Sequence, residues 1–526
     1  MEIEGTAHRH GVSVADLFNS VRAAGLPARR EGAAVDPEVT GATLDSRRVS
    51  DGDLYAALPG FNLHGAGFTR QAVEAGAACV LTDDAGVALI DPALFSRVPV
   101  IVVPEPRAIL GQLSAAIFQT EQHSPILFGV TGTNGKTTTT FILDALLREI
   151  GYRTGMIGTI ETRIADRVVP SIRTTPESPD FHSLLAQMYH ERVTACSMEV
   201  SSHALSLHRV DGARFEIAGF TNLSQDHLDF HPTMDDYFDA KASLFTESRA
   251  HKGVVVIDDE WGRRLAAEAE IPVTTLLSRP PAPPEDPDYW IEPAADDPSR
   301  FTLHGRKGTH LAAHSPLPGG FNRTNTALAI LMLHSAGVST ETLSHIVNVF
   351  RAVVPGRMEL VNPEHPRAIV DYSHTPESVG LALAALSDDA AGETAGPLVV
   401  VLGAGGDRDK GKRPLMGRRA TLGADVVIVT DDNPRSEDPA QIRTEVLRGA
   451  RGVHDGARAS KILEVGDRTE AISAGLRAAG RDGTLLVAGK GHEQGQEVAG
   501  VVSPFDDREQ IRLALARLRH DDSSSR

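Results

Sequence analysis

Residues 125–140 read PILFGVTGTNGKTTTT. Residues 126–130 are an apolar run of strand length. It passes through a Gly-rich turn into a stretch whose apolar residues, Phe141 and Ala145 on one line and Ile142, Leu146 and Ile150 on another, recur at the i, i+4, i+8 spacing of a helix. Gly151 stands where such a helix is capped, and residues 154–159 offer a second strand, which completes a βαβ unit. Glycines between a buried strand and a helix N-terminus let backbone N–H groups wrap a phosphate, Lys136 then reaches the outer phosphates, and Thr137 can set its hydroxyl on Mg²⁺. Five residues, not the four of a strict Walker A pattern, separate Gly129 from Gly135. The strand–turn–helix context and the Gly-Lys-Thr triplet favour nucleotide binding over a structural turn. The expected ATP contacts are Thr131, Gly132, Thr133, Asn134, Gly135, Lys136, Thr137 and Thr138.

Outward from this unit, strand-sized apolar runs alternate with helical periodicity, which predicts an α/β protein. Before it lie strand candidates at 39–44, 78–82 and 98–103 and helices at 69–75 and 107–119; after it come strand candidates at 193–200 and 215–221. The chain has 526 residues, enough for three or four domains. His123-Ser124-Pro125 and Pro355-Gly356 read as boundaries, giving segments 1–123, 124–354 and 355–526, with an exposed Pro-rich loop at 279–288 and a polar, disordered tail from Asp521. No apolar stretch is membrane-length, the first ten residues lack a signal-peptide core, and two cysteines exclude a disulfide framework, so a reducing, cytoplasmic setting is expected. A net charge of −18 argues against a nucleic-acid partner, while leaving small anionic substrates open.

Two further features sit beyond strand ends. Glu199 closes the run at 193–200: beside a phosphate loop it is either a carboxylate for Mg²⁺ or a rim residue. Asp226 and His227 lie in NLSQDHLD, on the loop after the strand at 215–221.

GVTGTNGKTT, SMEVSSHAL and NLSQDHLDFH together resemble the Mur ligase family of ATP-dependent amide-forming ligases, over nearly the whole chain. The resemblance implies an N-terminal UDP-sugar-binding α/β domain, a central P-loop ATPase-type α/β domain and a C-terminal Rossmann-like α/β domain for the incoming amino acid. It implies that Lys136 and Thr137 hold ATP and its metal, that Glu199 and His227 ligate Mg²⁺, and that Lys241, in DYFDAKASLF, is carbamylated by CO₂ to make an anionic ligand. Read without the family, Lys241 is a solvated helix lysine. Asn322 and Asn325 in GFNRTN resemble adenine-side residues. Arg357 in PGRME resembles the group that meets the γ-phosphate, and Asp371 and His374 in DYSHTP the loop that reaches toward the nucleotide. For the UDP-sugar dipeptide the implied contacts are Leu44 and Ser46 in TLDSR, the loop at 60–65, Thr174, Thr175, Ser201 and Arg209. Leu207 and the Phe61-Asn62 pair depart from more polar residues in relatives. Whether Asp226 or His227 takes the proton of the attacking amine stays open.

The third segment can be read by itself. Strand runs at 369–371, 398–402, 426–430 and 484–488 each end in a polar loop, DYSHTP, GAGGDRD, DDNPRSE and GKGHE. Ligands bind at that edge of an open parallel sheet. Arg408, Asp432, Asn433, Arg435, Gly489 and Glu493 are therefore expected in one pocket: guanidinium for carboxylate, Glu493 for ammonium, a set that suits a distal zwitterion. Asn433-Pro434-Arg435 alone would read as a turn. The DNPR loop resembles the meso-diaminopimelate-adding branch of the family, with UDP-MurNAc-L-Ala-D-Glu and ATP as the other substrates.

Overall fold

The computed structural model describes residues 11–60, 62–169, 171, 173–228, 230–364, 366–389 and 396–524. Phe61 and Asp229, singled out above within longer motifs, lie outside these. Three α/β sheets follow one another along the chain. The first runs in the order Arg29–Gly32, Pro99–Val102, Cys79–Thr82, Asp53–Ala56, Gly41–Thr43, parallel except at its first strand. The expected strand at 39–44 is split. Glu38–Val39 pairs with Val12–Ser13 and Gly41–Thr43 pairs with Asp53–Ala56, because Thr40 donates its N–H to Gly52 O and turns the chain between two sheets.

The central sheet has eleven strands among the described residues. Its parallel heart is Thr154–Ile157, Ala195–Glu199, Ile126–Thr131, Phe215–Phe220 and Ala250–Val256. Ile126–Thr131 lies in the middle with both neighbours parallel, so it is buried on both faces and reads as an unbroken apolar run. The helix Lys136–Glu149 follows it, with Ile142, Leu143, Leu146 and Leu147 in the core. Ile150 occupies its C-cap; Gly151 is the next residue, in the left-handed region at φ +97°. The strand expected at 154–159 ends at Ile157. An antiparallel extension, Tyr289–Pro293, Arg300–Gly305 and His310–His314, was not anticipated.

The third sheet runs Glu359–Asn362, Arg367–Asp371, Thr484–Ala488, Leu398–Leu402, Val426–Val429, Lys461–Glu464, all parallel but the first. The final helix, Asp507–Ser524, runs into the segment from Asp521 that the sequence reads as a polar tail. Among the described residues no helix is long and apolar enough to cross a membrane.

Candidate active site

The loop after Ile126–Thr131 is shaped by its neighbours. Gly132 sits at φ +142°, and a Cβ there would fall 1.9 Å from Thr221 Oγ1, so only glycine fits. Thr133 N–H donates to Asn222 O (2.9 Å), Asn134 N–H to Asn222 Oδ1 (3.0 Å), and Thr133 Oγ1 lies 3.2 Å from Tyr237 Oη. Thr131 and Thr138 are buried against the same turn. Gly135 caps the helix that starts at Lys136.

Four charged groups converge on this loop. Thr137 Oγ1 donates to Glu199 Oε2 (2.9 Å) and accepts from Arg357 Nη2 (3.3 Å), a guanidinium that stacks over Tyr372 at 4.3 Å. Glu199 is 1% exposed; its Oε1 accepts the Thr159 N–H (2.7 Å), which the chain supplies by leaving the strand at Ile157. Lys136 Nζ and Lys241 Nζ both donate to Gly132 O, at 2.9 and 2.7 Å. Burial lowers the Lys136 ammonium pKa against the pull of Glu199 and Asp226. Burial and the neighbouring Lys136 push Lys241 well below the ordinary lysine range, with Asp226 opposing. The solvated lysine expected without the family is thus a buried one, 1% exposed, on the helix Met234–Ala242.

Asp226 faces His227 and His374 (3.7 and 3.9 Å). Burial opposes its ionisation, but His227, His374 and Lys412 outweigh it and hold the carboxyl below its usual range. Burial pushes the His374 pKa down to about 4. The His227 ring, 44% exposed, stands edge-on to His203 and Tyr237. Among the described residues no three His, Cys, Asp or Glu side chains gather as a metal-binding group. Asn325 Nδ2 donates to Asn322 Oδ1 (3.2 Å), and Asn325 lies against Gly135. Asp371 ties its own loop to the turn that carries Arg357, accepting from Ser373 N–H (2.8 Å) and Met358 N–H (2.7 Å).

At the C-terminal edge of the third sheet, Asn433 Nδ2 donates to Glu493 Oε2 (2.7 Å), and Gly489, at φ +116°, lies against Asp432. Arg435 has left-handed backbone at φ +52° and donates through Nη1 to Gly406 O (2.7 Å). Pro434 is buried beneath it; Arg408 is exposed on the 403–409 loop. Asp432, Asn433, Arg435, Gly489 and Glu493 thus gather at this edge, and Arg408 stands exposed on the neighbouring loop. Sequence reading missed two parts of this edge. Lys490 is fully buried between Asn433 and Glu493. A hairpin, Gly495–Val498 with Val501–Pro504, clamps Arg435 by backbone bonds at Glu497 O and Ala499 N–H. Ala499 and Gly500, both at positive φ, make its two-residue turn. The GKGHE loop also presses on the loop that carries Arg357, since a Cβ on Gly356 would fall 2.1 Å from His492 N and one on Gly491 2.7 Å from Gly356 O.

On the other side of the phosphate loop, Thr174 Oγ1 meets Thr159 Oγ1 (3.0 Å), and Thr175 Oγ1 donates to Glu199 O (2.9 Å). Ser201 caps the helix Ser202–Ser206, and Arg209 pairs with Glu177 (2.9 Å), which also holds Arg107 from the first segment (2.8 Å). Ser46 Oγ donates to Gln71 Oε1 (3.0 Å), Leu44 is half-buried beside it, and the 60–65 loop closes through Gly60 N–H to Leu63 O (3.0 Å).

Three family models match the chain: the Mur ligase family catalytic domain over residues 38–117, the Mur ligase middle domain over 130–333, and the Mur ligase glutamate ligase domain over 356–491. The chain is 47% identical over 483 residues, 91% of its length and 93% of the other's, to the UDP-N-acetylmuramoyl-L-alanyl-D-glutamate–2,6-diaminopimelate ligase of Streptomyces coelicolor. It is 46% identical over 512 residues, 97% of each chain, to the protein of the same name from Streptomyces avermitilis. A solved structure of a ligase of that name aligns with a TM-score of 0.64 at 30% identity, covering 97% of this chain and 100% of that one.

Proposed function

The chain belongs to the Mur ligase family, and from that premise we propose that it joins an amine of meso-diaminopimelate to the D-Glu γ-carboxylate of UDP-MurNAc-L-Ala-D-Glu, converting ATP to ADP and phosphate. The observation that carries this reading is the reach of Arg357 to Thr137. It brings the sheet edge that holds Asn433, Arg435 and Glu493 to the phosphate loop. In this reading residues 1–123 hold the UDP-sugar through Leu44, Ser46 and the 60–65 loop, residues 124–354 hold ATP, and residues 355–526 hold the amino acid. Thr174, Thr175, Ser201 and Arg209 meet the sugar and peptide. Asn322 and Asn325 flank the adenine, and Asp371 shapes the loop that carries His374.

The γ-phosphoryl passes to the D-Glu carboxylate as ADP leaves. The amine nitrogen then bonds to the acyl carbon, phosphate departs with the acyl C–O bond, and the amine gives up a proton. Both reactants of the first step are anions, so Lys136 and Arg357 lower their repulsion and stabilise the charge of the transition state. Glu199, with the Thr137 hydroxyl, fits a hard cation: oxygen donors, one a nearly inaccessible carboxylate aimed at the phosphate loop. Thr137, Glu199 and His227 would hold Mg²⁺, which supplies further positive charge at the phosphoryl oxygens. Lys241 fits carbamylation, because burial and Lys136 favour the neutral amine that reacts with CO₂. Asp226, held ionised beside His227 and His374, can accept a hydrogen bond from the incoming amine and steady it as its proton leaves. An ATP-fed reaction and two buried free thiols suit the cytoplasm.

Phosphate release assayed with ATP, UDP-MurNAc-L-Ala-D-Glu and a panel of amino acids tests the reading. Release is expected with meso-diaminopimelate and only when the UDP-dipeptide is present. Equal release with lysine, or ATP turnover indifferent to both co-substrates, would overturn it.

A further inference from the structure

Lys490 has no place in the scheme above, yet it is fully buried and both of its side-chain partners belong to the amino-acid pocket. Its Nζ donates to Asn433 Oδ1 (3.0 Å) and to Glu493 Oε2 (3.0 Å). An ammonium only donates, so it fixes which end of the Asn433 amide is oxygen. That oxygen is filled a second time by the Glu497 N–H (3.0 Å). The amide nitrogen then spends one hydrogen on Glu493 Oε2 (2.7 Å) and keeps the other. Glu493 Oε2 carries two donors, whereas its Oε1 has no hydrogen-bond partner among the described residues, and the side chain is 31% exposed.

We propose that Lys490 is a positioning residue that sets the polarity of the amino-acid pocket. It holds Asn433 with its N–H outward, as a donor to the carboxylate of the incoming amino acid, and leaves Glu493 Oε1 as the acceptor for its ammonium. Being inaccessible, Lys490 acts through these two residues and does not touch the ligand. Without it the Glu497 N–H alone holds the Asn433 oxygen and Glu493 Oε2 loses its charged donor, so both groups are less firmly aimed at the ligand. The inference rests on the pocket assignment made under the proposed function.

The test is steady-state kinetics of the full chain with all three substrates varied, alongside thermal melting. Lys490→Met should raise KM for meso-diaminopimelate about ten- to a hundredfold, the effect of one or two misdirected hydrogen bonds. The KM for ATP and for the UDP-dipeptide should hold, and kcat should change far less. Lys490→Arg, which restores donors, should recover part of the loss. In an Asn433→Ala background, Lys490→Met should cost less than in the wild type, because one of the two residues through which it works is gone. An unchanged diaminopimelate KM, or a rise in all three KM values together with no recovery by arginine, would overturn the inference. If Lys490→Met does not fold, Lys490→Arg decides: it must raise the diaminopimelate KM in the wild-type background and raise it less beside Asn433→Ala. A wild type that ignores meso-diaminopimelate sinks the functional reading itself. A wild type that uses it, with Lys490 variants indifferent, sinks only the role of Lys490.

Discussion

Replacing Arg435 by alanine should remove most of the discrimination between meso-diaminopimelate and lysine, which differ by one distal carboxylate. From sequence, Arg435 is expected to be buried, and a buried charge left unpaired would cost about 3–5 kcal/mol. The structure reduces that figure. The side chain is 26% exposed, its Nη1 already donates to Gly406 O, and its Nε lies 3.6 Å from Glu497 Oε2. When lysine occupies the pocket, the guanidinium keeps these partners and some water. What lysine forfeits is the charge-assisted pair to the carboxylate, about 2–3 kcal/mol after solvent screening, or roughly 30- to 150-fold. The left-handed backbone, clamped by the hairpin, keeps the side chain aimed whatever the ligand. The measurement is kcat/KM for both amino acids in wild type and Arg435→Ala. Diaminopimelate should fall by about that factor and lysine should barely change, since removing a donor builds no lysine pocket. A variant that kept the full preference would refute the reasoning.

Lys136→Met should abolish phosphoryl transfer while calorimetry shows UDP-dipeptide affinity retained; loss of both would contradict separate sites. Lys241→Ala should remove most activity, short carboxylates should restore part of it, and ¹³C-bicarbonate should give the wild type a carbamate resonance that the variant lacks; a wild type without that resonance would end the carbamate assignment. His182 is fully buried between Thr120 Oγ1 and Asp211 O, and burial pushes its pKa down to about 4. The folded state therefore refuses a proton that the unfolded chain accepts below its ordinary value of 6.5. Stability is complete above that pH and falls as pH drops toward 4, by about 3 kcal/mol from this group. Denaturant midpoints should show a shallower acid decline in His182→Gln, and equal slopes would count against the assignment.

The strands Leu398–Leu402 and Thr484–Ala488 begin and end where the sequence suggests, because strands buried on both faces are written as unbroken apolar runs. The phosphate loop was legible for a related reason: its chemistry is local, made of consecutive backbone groups and the first residues of one helix. The antiparallel extension escaped although Phe301 and Leu303 alternate with partly exposed neighbours, since Arg300 and His304 dilute a short pattern. Lys241 needed the family. Nothing in a helix bearing Asp235, Asp236 and Asp239 says that its lysine turns inward onto Gly132 O. Lys490 and Thr159 could not be read because Asn433, which Lys490 orients, and Glu199, which Thr159 holds, are 57 and 40 residues away along the chain. Only the fold brings such strand ends together.

Gly356 and Gly491 meet backbone to backbone, with no side chain between them to act as a bearing. The turn that carries Arg357 and the loop that carries Glu493 are thereby one stiff part, so neither can travel without the other. Timing follows from this. Any movement that carried the guanidinium toward or away from Thr137 would carry the Asn433–Glu493 pocket with it. Activated carboxylate and nucleophile are then never out of step, and an acyl phosphate has little time to meet water. Any side chain at either glycine would act as a wedge, and its signature would be ADP formed without peptide bond: leakage, measured as ATP consumed per tripeptide made.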